Sequence, residues 1–181
     1  MTSELRTRKF DRFFDLLDTD GNGFIEAQDW ARTAEELSRG FNHPQGSAQE
    51  TALRHTYGRV HQNICSAMDT DGDGRVSRTE FHDGLNRHVA DPDLLDRTFR
   101  PAIDAEFDTA DTDGDGVLDG TEIKRVWDVW GMSEADAKTA MEHMDTDGDG
   151  RISRDEYYAT WREYLVSEDP AAPGSWMLGQ L

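Results

Sequence analysis

Asp145-Thr146-Asp147-Gly148-Asp149-Gly150-Arg151-Ile152-Ser153-Arg154-Asp155-Glu156 decides the fold. Its spacing fits the calcium-loop pattern D-x-[DN]-x-[DN]-G-x5-E at every required place. Asp145, Asp147 and Asp149 put hard carboxylate oxygens at positions 1, 3 and 5. Gly150 takes the sharp turn at position 6, and the carbonyl of Arg151 points inward at position 7. Glu156 closes the loop at position 12, where its two oxygens can grip one ion. Asp-Gly runs also make plain turns, so one match alone is weak.

The chain holds three more such loops. In the loop from Asp69 the ligand set is Asp69, Asp71, Asp73, the carbonyl of Arg75, and Glu80. The loop from Asp111 offers Asp111, Asp113, Asp115, the carbonyl of Val117, and Glu122, with Asp119 at position 9 as a further direct ligand. The loop from Asp18 offers Asp18, Asp20, Asn22, the carbonyl of Phe24, and Asp29. Asp29 is one methylene shorter than glutamate. It must draw its helix inward or bind through one oxygen, and six-fold coordination at shorter distance suits Mg2+. The first loop is therefore expected to take Ca2+ with the weakest selectivity over Mg2+. Ser77 and Ser153, short and neutral at position 9, are expected to hold a water. The expectation is three or four Ca2+ per chain.

Four loops flanked by helical patterns resemble the EF-hand superfamily, and the likeness covers nearly the whole chain. The loops start at residues 18, 69, 111 and 145. That long first interval, with aspartate closing the first loop, resembles the sarcoplasmic calcium-binding proteins and bacterial calerythrin. The resemblance implies an all-α fold of four helix-loop-helix units in two pairs, joined in one body. It also implies that Ile25, Val76, Leu118 and Ile152, each at position 8, form short β-bridges joining loop one to two and loop three to four. The coelenterazine-type photoproteins resemble this pattern more remotely, and this chain lacks their C-terminal proline.

Composition narrows the function further. The net charge of −19 among 181 residues opposes binding to nucleic acid, whose phosphates need a basic face, and to an anionic membrane surface. Much of that charge lies in the loops, where four divalent ions would bring it to −11. No apolar run approaches a membrane span, and the N-terminus lacks a signal peptide's apolar core. The single cysteine, Cys65, excludes an intrachain disulfide framework and suits the cytoplasm. It sits on a helix's inner face as a small core residue. The histidines form no zinc-enzyme array and are expected at the surface or lining a groove. Nothing points to an enzyme.

Apolar periodicity places the helices. The first spans residues 3–17 through Phe10, Phe13, Phe14 and Leu17. Trp30, Ala34 and Leu37 follow the first loop, and residues 42–46 break that helix. A long helix from Ser47 to Met68 turns Leu53, Tyr57, Val60, Ile64 and Met68 inward. Asp91-Pro92 reads as a cap and first turn, while Pro101 predicts a kink or break near Arg100. Met141 and Met144 face inward before the last loop. These divisions predict an N-terminal pair over 1–90, a C-terminal pair over 91–166 and a tail over 167–181. In the tail, Trp176, Met177 and Leu178 form an apolar cluster outside any helix pattern. The Pro170–Pro173 spacer tends to extend. The tail is expected to dock in a hydrophobic groove, either on its own chain or on a neighbouring molecule. The leading function is intracellular Ca2+ buffering; the rival is a sensor that exposes a groove to a target protein's helix.

Overall fold

A computed structural model describes residues 3–179 of the chain. Eight α-helices follow in order: α1 (Glu4–Leu17), α2 (Ala27–Gly40), α3 (Ala48–Met68), α4 (Arg78–Ala90), α5 (Pro92–Ala110), α6 (Gly120–Val129), α7 (Glu134–Met144) and α8 (Arg154–Val166). Ser3, Ser47, Asp91 and Ser133 cap α1, α3, α5 and α7 by accepting a backbone N–H with their side chains, satisfying donors that a helix start leaves open.

Between the helices of each unit lies a two-residue strand: β1 (Phe24–Ile25), β2 (Val76–Ser77), β3 (Val117–Leu118) and β4 (Ile152–Ser153). β1 pairs with β2 and β3 with β4, both antiparallel, with Ile25 opposite Val76 and Leu118 opposite Ile152. All four of these side chains are fully buried. The fold is thus the expected all-α arrangement of four units in two pairs.

Each pair is clasped in the same way. Arg78, at position 10 of the second loop, stacks on Phe14 at 4.3 Å and pairs with Asp11 at 3.1 Å and Asp15 at 2.5 Å on α1. Arg154, at position 10 of the fourth loop, stacks on Phe107 at 4.3 Å and pairs with Asp104 and Asp108 on α5. A desolvated cation over a ring face adds attraction to the ion pair. The register Asp11-x-x-Phe14-Asp15 therefore matches Asp104-x-x-Phe107-Asp108, which sets Phe13 and Glu106 at equivalent positions.

One apolar core runs through both pairs. α3 packs on α5, α2 on α6 and α1 on α8. His88 on α4 joins the pairs: its Nδ1 lies 2.8 Å from the Gly84 carbonyl and its Nε2 3.0 Å from Thr98 Oγ1 on α5. This histidine is fully buried, not at the surface or in a groove as expected, because both ring nitrogens find partners inside. Cys65 and Met141 pack against the core while half-buried. The helix through Pro101 is not broken: α5 is continuous from Pro92 to Ala110. A proline loses its own N–H and crowds the preceding turn, yet Leu95, Phe99, Ile103 and Phe107, all buried, hold the helix on both sides of it.

The tail folds back onto its own chain. The spacer turns instead of extending: Asp169 accepts the Ala171 N–H with its side chain at 2.8 Å and the Ala172 N–H with its carbonyl at 3.2 Å. Asp followed by Pro suits the first two positions of a β-turn. A single 3-10 turn, Pro173–Trp176, then lies against α7 and α8. Trp176 stacks on His143 with ring centres 5.2 Å apart, and Met177 and Leu178 are buried. Gly174 donates to Glu163 Oε2 at 2.7 Å, and a Cβ there would meet the backbone N of Tyr164 at 2.5 Å, so only glycine allows this approach. Gln180 and Leu181, at the end of the predicted tail, lie outside the described residues.

The start of the tail is also tied to α1. Lys9, fully buried, donates from Nζ to the Ser167 carbonyl at 3.0 Å, and Arg6 donates to the Val166 carbonyl at 3.1 Å. Tyr164 donates to the Lys9 carbonyl at 2.7 Å. The Lys9 and Arg6 bonds satisfy carbonyls that the end of α8 leaves open. Burial pulls the Lys9 ammonium down to about 8, against the opposing pull of Glu163.

Truncating a buried methionine leaves a cavity as well as losing burial. Met177→Ala is expected to lower unfolding stability by about 2–5 kcal/mol, read from denaturant unfolding of the calcium-loaded protein. An unchanged midpoint would contradict the seating of the tail.

Candidate metal centre

The first aspartate of each loop is held by the loop's own backbone. Asp18 accepts the N–H groups of Asn22 at 3.0 Å and Gly23 at 2.8 Å. Asp69 accepts from Gly72 and Gly74, Asp111 from Gly114 and Gly116, and Asp145 from Gly148 and Gly150, all between 2.7 and 3.0 Å. The position 6 glycines have φ between 80° and 87°, a left-handed conformation that any side chain would strain.

The last ligand is built into the helix that follows. Position 9 of each loop is the N-cap of the exiting helix, and position 12 is its third residue. Glu80 Oε2 accepts the Ser77 N–H at 3.0 Å, Glu122 Oε2 that of Asp119 at 3.1 Å, and Glu156 Oε2 that of Ser153 at 2.9 Å. Asp29 Oδ2 accepts from Glu26 at 2.8 Å. The other oxygen of each carboxylate accepts the N–H and the hydroxyl of the position 2 threonine: Thr19, Thr70, Thr112 or Thr146. The threonines were not singled out from the sequence, although the repeated Asp-Thr-Asp carried the signal.

In two of the loops these donors hold the carboxylate well below its ordinary range. N–H groups of Ser77 and Thr70 hold Glu80 down to about 2. Burial pushes Glu156 up, but the Ser153 and Thr146 donors outweigh it and hold that group, too, at about 2.

Ligand atoms of Asp18, Asp20 and Asp29 lie within 4.8 Å of one another, as do those of Asp111, Asp113 and Glu122, and of Asp145, Asp147 and Glu156; in the second loop the gathered set is Asp69, Asp71 and Asp73. Oxygens that share a Ca2+ at about 2.3–2.6 Å stand no farther apart than roughly 5 Å, so the donor sets fit this ion. Glu80 lies outside that set, although it makes the same bonds to Thr70 and Ser77 as its counterparts make in the other loops. At position 5, Asn22, Asp73, Asp115 and Asp149 each accept the N–H of position 7 between 2.8 and 3.1 Å. Position 7 itself falls at the start of a strand (Phe24, Val117) or just before one (Arg75, Arg151). Asp119 stands outside the gathered set: its Oδ1 accepts the N–H groups of Thr121 and Glu122 as the cap of α6. Ser77 and Ser153 cap their helices likewise.

Arginines touch several of these acids. Arg75 pairs with Asp73 at 2.8 Å and stacks on Phe24 of the first loop at 4.0 Å. Arg151 reaches across to Asp115 of the third loop at 2.8 Å. Arg32, three residues beyond the end of loop one on α2, donates to Asp20 Oδ2 at 3.0 Å and lies 3.5 Å from Asp29 Oδ1. Two ligands of the first loop therefore already face a positive charge, a feature that local motif reading missed because Arg32 lies outside the twelve residues.

The EF-hand domain pair family matches residues 7–85 and 99–162. Calerythrin of Saccharopolyspora erythraea is 24% identical over 146 residues, covering 80% of this chain and 82% of that protein. Among solved structures, a Streptomyces coelicolor calcium-binding protein studied for prokaryotic calcium-mediated regulation is 30% identical with a TM-score of 0.79, covering 89% of this chain and 98% of its own. The amphioxus sarcoplasmic calcium-binding protein is 19% identical with a TM-score of 0.81 over the full length of both chains.

Two sets of substitutions probe the loops. Glu122→Gln and Glu156→Gln are each expected to weaken their own site by about tenfold or more, given the loss of a charged two-oxygen ligand, and to weaken the partner loop through the β3–β4 bridge. Losses confined to the mutated loop in a calcium titration would argue against that coupling. Arg32→Ala and Asp29→Glu are expected to strengthen Ca2+ binding in loop one. No change in either would remove Arg32 and the short Asp29 chain as the causes of its weakness.

Proposed function

The chain belongs to the EF-hand domain pair family, and on that premise we propose that this non-enzymatic calcium-binding protein serves as a cytoplasmic Ca2+ buffer. Three or four ions are held per chain, with the first loop the weakest and the one open to Mg2+. The observation that carries this reading is the tail. Met177 and Leu178 are buried where the tail lies along α7 and α8, covering an apolar face that a sensor would offer to a target helix. A buffer has no need to bare that face.

The rival reading is a sensor whose tail yields to a target helix. It draws support from the Streptomyces coelicolor relative, whose structure concerns calcium-mediated regulation. The photoprotein reading has less support. The central cavity measures about 80 Å³, against the roughly 300–1,000 Å³ of pockets that enclose drug-sized molecules. The chain divides into an N-terminal pair over 1–90, a C-terminal pair over 91–166 and a tail over 167–181.

Calorimetric titration with Ca2+, with and without Mg2+, is expected to count three or four sites, one of them weakened by Mg2+. Hydrophobic-dye fluorescence is expected to change little when Ca2+ is added. A strong calcium-dependent rise in dye binding would establish the sensor instead.

A further inference from the structure

Between the two pairs lies a cavity of about 80 Å³ lined by Phe13, Trp30, Tyr57, Phe99, Trp130 and Trp161, with Glu106 in its wall. Glu106 is 5% exposed. Its counterpart in the internal repeat is Phe13, so the fold accommodates an apolar ring where this chain carries an acid. A carboxyl in apolar surroundings costs stability unless something compensates it. Tyr157 donates to Glu106 Oε2 at 2.8 Å. Trp130 and Trp161 turn their indoles toward the same carboxyl, the Trp161 N–H lying outside hydrogen-bond geometry. No Lys, Arg or His lines the cavity among the described residues.

We propose that this cavity binds a small organic ammonium ion, held by the aromatic rings and by the Glu106 carboxylate. Aromatic faces with one acid and no base form the recognition chemistry of alkylated ammonium groups. The cavity of about 80 Å³ admits about five to eight heavy atoms, taking one water-sized group per roughly 10–15 Å³. The exposed Glu36 also lines the cavity, and the chain's net charge of −19 raises the local concentration of any cation. Trp30 adds a buried indole N–H with no acceptor among the described residues, a donor suited to a hydroxyl oxygen beside the ammonium. Choline carries both groups.

Protonation sets the pH dependence. Burial pushes Glu106 up to about 8, against the opposing pull of Tyr157, Trp130 and Trp161. The other titratable groups facing it are Tyr57 from α3 and Tyr157 from α8, both held neutral by burial, with Glu36 of α2 also on the cavity wall. Below about pH 8 a bound cation must displace the Glu106 proton. Affinity should therefore rise by up to about tenfold per pH unit toward pH 8 and level off above it.

The test is calorimetry and tryptophan fluorescence of the full-length, calcium-loaded protein with choline and with its uncharged carbon isostere dimethylbutanol. The expected result is saturable one-to-one binding of choline at about pH 8.5, with the isostere and the Glu106→Gln variant each weaker by about tenfold or more, the scale of losing a buried charge partner. Calcium stoichiometry, measured in parallel, reports whether the variant is folded. Should Glu106→Gln fail that check, Ala102→Leu fills the cavity from α5 and is expected to abolish choline binding. Absence of saturable choline binding, equal binding of the isostere, or choline binding indifferent to pH, to a folded Glu106→Gln or to Ala102→Leu would overturn the proposal.

Discussion

The carboxylate at the twelfth position of each loop is where the geometry of the helix and that of the ion coincide. The same group is the third residue of the exiting helix and the closing ligand of the loop. One of its oxygens takes an N–H at the helix start, and the other takes the N–H and hydroxyl of the second loop residue. The exiting helix therefore begins where the loop must close. A single carboxylate sets the start of α2, α4, α6 or α8 and brings a charge beside the first aspartate. The bridge of buried position 8 residues then passes the arrangement to the neighbouring loop.

Those pairs are joined into one body by contacts of another kind. Arg78 and Arg154 clasp within each pair, whereas His88, Lys9 and the packing of α3 on α5 act between the pairs. Most of these involve a charge or a ring that is partly or wholly removed from water. Such groups are costly to leave unpaired, so they favour one relative placement of the pairs over alternatives that apolar packing alone would tolerate.

Loops and helices were legible because their signals are local. Twelve-residue spacing names the ligands, and the apolar stripe of each helix names its buried face; Phe10, Phe14, Leu53 and Ile64 fall inside as their periodicity requires. What escaped is set by contacts distant in the chain. Arg32 escaped for a nearer reason: it lies three residues past the loop on α2, where the twelve-residue pattern does not reach. Glu106 looks like any helical acid until α8 lays Tyr157 against it. Lys9 reads as a solvated lysine, yet its stem is covered and its amine finds a carbonyl 158 residues away. Asp169-Pro170 was legible as a turn, but the spacer was read by its prolines alone. Pro101 shows the converse, a local break signal that leaves α5 unbroken.

The tie between α1 and the end of α8 has a consequence for synthesis. Lys9 and Arg6 find their carbonyl partners at Ser167 and Val166, 158 and 160 residues further along the chain, so α8 must be made before α1 can close on them. Until α8 has been made, α1 lacks these partners, and a contact of such sequence separation is slow to close by its nature. During that interval Phe10, Phe13 and Phe14 depend on α4 for cover, which emerges midway. The N-terminal pair can assemble as an early unit, but α1 gains its ties to Val166 and Ser167 only once α8 is made, so a chain cut before α8 has a first helix that lacks its lock.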